Sequence, residues 1–298
     1  MAAKVTVEVG DRTLTLSNLD KVLYPRTGFT KAQVIEYYTR IAPVMLPHIG
    51  DRALTLRRYP DGVEGKSFFE KRCPSHRPDW VSVAIGPGDR NGTIEYCRLD
   101  ETAALVWTAN LAAIELHSPM ARCSDLETPT MLVFDLDPGA PATITQCCAI
   151  ALAIRDVLGA VGLEAFAKTS GSKGMQLYVP LNTPHTHDHV SSFALAVGQL
   201  LEKQRPTEVL TNMKRSERPG KVLIDWSQNS RHKTTIAPYS LRARPEPTVS
   251  TPISWDEVTE GADGAPLTFT AFEVLDRIHH LGDLFAPTLT LEQTLPGS

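Results

Sequence analysis

The apolar run TMLVFDLDPG (130–139) constrains the fold of this 298-residue chain more than any other stretch. Side chains alternate between the two faces of a strand, so Asp135 and Asp137 project together while Phe134 and Leu136 point into a core. The strand must lie in a sheet with one face packed and the other opening on a site that tolerates two acids. Neighbouring carboxylates resist joint ionisation unless a cation lies between them. Hard oxygen donors at this spacing suit Mg²⁺ or Mn²⁺ bound together with phosphates. A bare Asp-x-Asp also marks aspartyl phosphatases and sugar-nucleotide glycosyltransferases. The phosphatase pattern, however, wants Thr or Val where this chain has Gly139. A solvent-facing strand end is the bland alternative.

Two further stretches bear on the same chemistry. Asp225 sits in the apolar run Val222-Leu-Ile-Asp-Trp226, where a lone buried carboxylate needs an arginine, another cation or a metal as partner. If the two strands are neighbours, three aspartates suffice for two metal ions and in-line nucleotidyl transfer. SGSKGMQLYVPL (170–181) joins a glycine-and-hydroxyl turn to an alternating strand. Ser170 and Lys173 suit a triphosphate, but the turn lacks P-loop spacing and by itself reads equally as a hairpin.

The rest of the chain sets limits. No run approaches the length of a membrane span, and MAAKVTVEVGDRTLTL reads as strand rather than signal peptide, so a cytosolic protein is expected. Net charge is −4, yet residues 214–244 carry a local +6 and residues 52–77 a local +4. Such segregation fits a phosphate-binding face as well as ordinary solvated surface. The five cysteines lack framework spacing and fit a reducing compartment. Cys73 and His76, with Cys97 and Cys123 at a distance, make a poor zinc set, and Cys147 and Cys148 read as helix packing residues. His185, His187 and His189 alternate between Pro184 and Asp188 and read as a solvated loop or helix start.

Capping boxes at Thr30–Gln33 and Ser254–Glu257 open helices, the first of about 15 residues. GPGDRNG (86–92) reads as an exposed loop, and KVLIDWSQN as a continuous strand. Strands and helices mix without strict alternation, so the fold class is α+β.

Taken together, LSNLDKVLYP (16–25), LRRYPDGVEGKSFFEKR (56–72), IELHSP (114–119), LVFDLDPG (132–139), TSGSKG (169–174) and KVLIDWSQNSRHKTTIAPYSLRAR (221–244) resemble the polymerase domain of bacterial DNA ligase D, in the archaeo-eukaryotic primase superfamily. The resemblance implies a primase-like core of mixed sheets flanked by helices, in one domain spanning 1–298. Within it, about 1–115 would contact DNA, about 116–245 would hold metal and nucleotide, and 246–298 would form a cover. No Lys-x-Asp-Gly adenylation motif appears, so the likeness is to a polymerase without a ligase module.

By the same resemblance, Asp135, Asp137 and Asp225 bind two Mn²⁺ or Mg²⁺ ions. His117, Ser170, Lys173, Gln228 and Arg242, with Arg57, hold the incoming NTP or dNTP. Phe68 and Phe69 stack on base and template. Asn18, Lys21 and Lys31 bind a 5′-phosphate across a gap, and Arg58, Lys71, Arg218, Lys221, Lys233 and Arg244 track the DNA backbone. Gapped DNA, ribonucleotides, Ku and a separate DNA ligase are the implied partners, and short-gap filling in end joining is the implied activity, with priming a close variant. A catalytically weak DNA-end-binding scaffold is the alternative from another class. Alternation along MQLYVPL turns Met175, Leu177 and Val179 to the core and leaves Gln176 and Tyr178 on the substrate side. Relatives usually carry His where this chain has Gln176, so the resemblance implies weaker triphosphate binding.

Overall fold

Met131–Pro138 is the third strand of a six-stranded sheet in the computed structural model, which describes residues 4–88 and 92–297. The strand order is Val209–Leu210, Val222–Asp225, Met131–Pro138, Met175–Pro180, Phe166–Thr169 and Pro252–Ile253, and only the first pair is parallel. Helices Ile144–Ala160 and His187–Gln204 pack on the face that carries Phe134 and Leu136, which are fully buried. Cys147 touches the Leu136 carbonyl from this side, so the reading of Cys147 and Cys148 as packing residues holds.

The expected continuous strand 221–229 stops at Asp225. Asp225 accepts a hydrogen bond from the Ser227 amide and caps a 3₁₀ turn, Trp226–Asn229. The Asn229 side chain then takes over the ladder, accepting from Val133 N and donating to Val133 O, both at 2.8 Å. The histidine run does open a helix, with Thr186 as N-cap, but it is not solvated. His185 and His187 are buried: His187 reaches the carbonyls of Asn229 and Leu126, and His185 pairs with His189 and accepts from the Leu295 amide.

This sheet belongs to one of two compact units, made of 120–234, 250–268 and 283 onward. The other unit takes the chain up to 119 together with 235–249 and 269–282. The chain returns because Thr235–Ile236 pairs with Ala113–Ser118, the second strand of a four-stranded sheet completed by Thr55–Arg58 and Phe68–Glu70. Helix Lys31–Ile49, opened by the Thr30–Gln33 capping box, reaches this sheet where Tyr38 donates to the Ile114 carbonyl. At 19 residues it outruns the expected length, because its buried face continues through Met45 to Ile49 despite Pro43 and Pro47. The Ser254–Glu257 box likewise caps helix Trp255–Ala262.

Cys73 and Cys97 are joined in a disulfide, which corrects the reading of five unpaired thiols and removes both from any zinc set. Among the described residues, no helix is long and apolar enough to cross a membrane. Positions 89–91 of the glycine-rich loop lie outside the described residues.

Candidate active site

Strand register aligns the acids of the six-stranded sheet. Asp225, Asp135, Gln176 and Lys168 are successive cross-strand partners, so one transverse row runs from two carboxylates through an amide to an amine. Directly opposed side chains in a sheet stand about 5 Å apart at Cβ. Asp137, two residues on from Asp135, shares its face. Gln176 donates from Nε2 to Asp135 Oδ1 at 2.9 Å. Burial, with the charges of Asp137 and Asp225, holds the Asp135 carboxyl well above the usual carboxylate range, against the pull of Gln176 and Lys168.

Asp225 accepts from Ser227 N and Oγ through Oδ1 and from Gln228 Nε2 through Oδ2. Among the described residues, no three acidic, histidine or cysteine side chains already form a metal cage. The donor set nonetheless fits a divalent metal: the oxygens are hard, and Asp135 carries a repulsion that a cation would relieve.

The turn ahead of this row is built by hydrogen bonds. Ser170 Oγ accepts from the amides of Ser172 and Gly174, and Ser170 N donates to Gly174 O. A Cβ at Gly174 would stand 2.0 Å from Leu136 O, and one at Gly139 would stand 2.0 Å from Arg218 O. Both glycines are thus required for close approach of backbone to the acidic strand. Lys173 is exposed at the tip of the turn. Gln176 is 4% exposed and Tyr178 3%, so the open substrate face expected for both is not formed. Phe285 and Met120 cover Tyr178, and Gln176 is enclosed between Asp135 and Lys168. Of the basic residues expected along DNA, Lys221 donates to Pro206 O, Arg218 to Met213 O, and Lys233 is exposed.

In the other unit, three of the residues expected to hold the nucleotide, Arg57, His117 and Arg242, gather around Glu115, which sequence reading missed. Its carboxylate, 2% exposed, meets Arg242 at 3.1 Å, His117 at 3.2 Å and Arg57 at 3.4 Å, and accepts from Ala243 N. Burial alone would raise the Glu115 carboxyl, but the His117 hydrogen bond and the Arg242 charge hold it down at about 2. Burial pushes the His117 imidazole down from its ordinary value despite Glu115. The Arg57 guanidinium lies between the rings of Tyr59 and Phe69 at 5.2 and 5.0 Å. Phe68 and Phe69 are exposed, as a stacking platform requires.

Asn18, Lys21 and Lys31 are also brought together. Asn18 takes a left-handed conformation, its carbonyl accepts from Lys21 N, and Lys21 O accepts from Lys31 N at the head of the helix. Lys31 Nζ donates to Ser17 O at 2.6 Å, and burial, with Lys21 and Arg58 nearby, lowers its amine to about 8. Lys21 pairs with Asp61. Glu70 and the Leu111 carbonyl hold the Arg58 guanidinium over Phe68. Lys71 and Arg244 are exposed.

One signal was available for both missed residues. Glu115 and Lys168 are each a charge inside an apolar strand, IELHS and FAKT, the same signal that singled out Asp225.

One unit thus carries carboxylates suited to a divalent metal, and the other holds two guanidinium groups and an imidazole on a buried carboxylate. Residues 30–285 match the LigD primase-polymerase domain family. The multifunctional non-homologous end joining protein LigD of Mycolicibacterium smegmatis is 46% identical over 91% of this chain and 35% of its own length. The bifunctional LigD of Bacillus subtilis is 30% identical over 90% of this chain and 43% of its own length. Among solved structures, the polymerase domain of Mycobacterium tuberculosis ligase D in complex with DNA matches with a TM-score of 0.87 and 43% identity, over 93% of this chain and 98% of that one. The chain belongs to the LigD primase-polymerase domain family and is a DNA-directed nucleotidyltransferase of α+β fold. It spans well under half the length of these curated relatives. An enzyme of this kind uses a divalent metal and nucleoside triphosphates.

Proposed function

We propose that the protein is a template-directed polymerase that fills short gaps during DNA end joining, using ribonucleotides in preference to deoxyribonucleotides. The observation that carries this reading is the cross-strand pairing of Asp135 with Asp225, with Asp137 on the same face. Divalent cations held by these carboxylates, Mn²⁺ or Mg²⁺ and two in number, would supply charge neutralisation at the triphosphate and the primer hydroxyl.

The chain's own residues bind and orient. Arg57, Arg242 and His117, fixed by Glu115, bind phosphate oxygens with little rearrangement. Ser170 and Lys173 add a hydroxyl and an amine, and Gln228, held by Asp225, is a further polar contact. Phe68 and Phe69 stack on any base, which leaves the choice of nucleotide to template pairing. Asn18, Lys21 and Lys31 receive the 5′-phosphate at the far side of the gap. Basic residues at Lys71, Lys221, Lys233, Arg218 and Arg244 make DNA binding fall with salt. Priming belongs to the same chemistry. Ku and a DNA ligase are the fitting partners, acting in the cytoplasm, because a filled gap still needs end alignment and sealing.

Primer extension on a gapped duplex tests the reading, with and without a 5′-phosphate and with NTP against dNTP. Asp135→Ala, Asp137→Ala and Asp225→Ala are each expected to abolish extension while DNA binding persists. Unchanged extension by these variants would exclude the carboxylate mechanism, whereas DNA binding without extension by the wild type would favour a scaffold.

A further inference from the structure

Lys168 has no role in the parts described above, yet it is fully buried on the strand Phe166–Thr169. A buried amine is retained only where its donors are satisfied. Two hydrogen bonds of 2.6 Å hold Nζ, one to Gln176 Oε1 and one to Ser250 Oγ. Ser250 donates onward to the Thr169 carbonyl, so its oxygen is left to accept from the lysine. The Tyr178 ring lies 5.5 Å from Nζ, and its hydroxyl also donates to Gln176 Oε1, at 3.4 Å.

These contacts decide which way the Gln176 amide faces. Nζ and the Tyr178 hydroxyl are donors, so Oε1 must point to them and Nε2 must point to Asp135. The flipped amide would set donors against a lysine and an oxygen against a carboxylate. An ammonium placed directly on Asp135 would compete with a metal ion for that carboxylate. An interposed amide holds one carboxylate oxygen without an ion pair.

We propose that Lys168 is a positioning residue for the metal-binding carboxylate: it locks the Gln176 amide, and the locked amide fixes Asp135 for a divalent cation. The proposal rests on the reading of Asp135 as a metal ligand. It gives Gln176 a role toward Asp135 in place of one toward the triphosphate.

The test is Mn²⁺ titration of the whole chain, followed by calorimetry and by loss of the free-Mn²⁺ EPR signal. Outer partners that orient metal ligands are worth roughly 10-fold or more in metal affinity, so Lys168→Met and Gln176→Met are each expected to weaken Mn²⁺ binding about tenfold. The double variant should bind no more weakly than either single one, because the same path is cut twice. Nucleotide KM at saturating Mn²⁺ should stay near the wild-type value, which a general loss of structure would not allow.

Wild-type Mn²⁺ affinity in Lys168→Met overturns the proposal. If that variant does not fold, Gln176→Met, which leaves the lysine in place, decides by the same criterion. Asp135→Ala separates the two levels. Loss of Mn²⁺ binding there, with retention in both other variants, removes only the role of Lys168. Retention in Asp135→Ala removes the metal reading itself.

Discussion

The Glu115 cluster and the Asp135 row solve one problem with opposite charges. In the first, a buried anion gathers Arg57, His117 and Arg242 by direct contact. In the second, a buried lysine lies one strand beyond Gln176 in the row and reaches Asp135 through the Gln176 amide. Direct contact orients the cations while spending part of their charge on one carboxylate. The amide-mediated contact orients a carboxylate and leaves its charge available. Phosphate-binding guanidinium groups tolerate the first arrangement because Arg57 and Arg242 share one anion. A metal ligand needs the second, since an ion pair would compete with the metal.

The sharpest way to break this comparison is Glu115→Gln, which leaves Arg57, Arg242 and His117 without their buried anion. Breaking a buried pair from one side costs about 3–5 kcal/mol, so the melting temperature should fall steeply and nucleotide KM should rise. The folded carboxyl, at about 2, lies below its ordinary value of 4.5. Its stabilisation is therefore complete above about pH 4.5 and is lost as pH falls toward 2, an expected total of about 3 kcal/mol. Acid unfolding followed by circular dichroism should show that slope in the wild type and lack it in the variant.

On the acidic side, Gly174→Ala sets a methyl group against the Leu136 carbonyl. With backbone on both sides, the turn must shift, and a loss of about 3 kcal/mol is expected in chemical denaturation. A variant as stable as the wild type would show that the turn does not fix the row.

Phe69→Ala tests the platform beside the cations. It removes base stacking worth about 1–3 kcal/mol and the ring under Arg57, so template binding should weaken to a similar extent for all four bases. A loss confined to one base would contradict stacking.

The smallest effect concerns Lys31. Its amine is charged below about pH 8 and neutral above it. The preference for a 5′-phosphorylated gap should therefore fade as pH rises from 7 to 9, by about 1–2 kcal/mol, the size of one charge-assisted hydrogen bond to phosphate. Fluorescence anisotropy on phosphorylated and unphosphorylated gaps measures this directly. The same preference at both pH values would remove Lys31 from the phosphate contact.

Local signals were legible where periodicity or capping chemistry carried them. The face shared by Asp135 and Asp137 follows from a period of two, and the Thr30 and Ser254 caps follow from side chains that reach only three residues. The halt of the 222–229 segment at Asp225 was not legible, because it depends on Asn229 finding Val133 across 96 residues of chain. The pairing of Cys73 with Cys97 depended in the same way on where two distant strands lie. The alternation of MQLYVPL placed Gln176 and Tyr178 opposite the helix-packed core correctly. It carried no word of Phe285 and Met120, which close that second face.

By itself, then, the sequence determined the residue types and the faces: hard oxygen donors on one side of a strand, a glycine turn before the next, and cations grouped along two segments. Only the tertiary structure decided the partners. Register brought Asp225, Asp135, Gln176 and Lys168 into one row, strand pairing placed Glu115 opposite Arg57, and the returning chain brought Arg242 to the same carboxylate. The physical reason is one of range. Alternation and capping act over a few residues, whereas a buried charge is satisfied by whichever strand the sheet sets beside it.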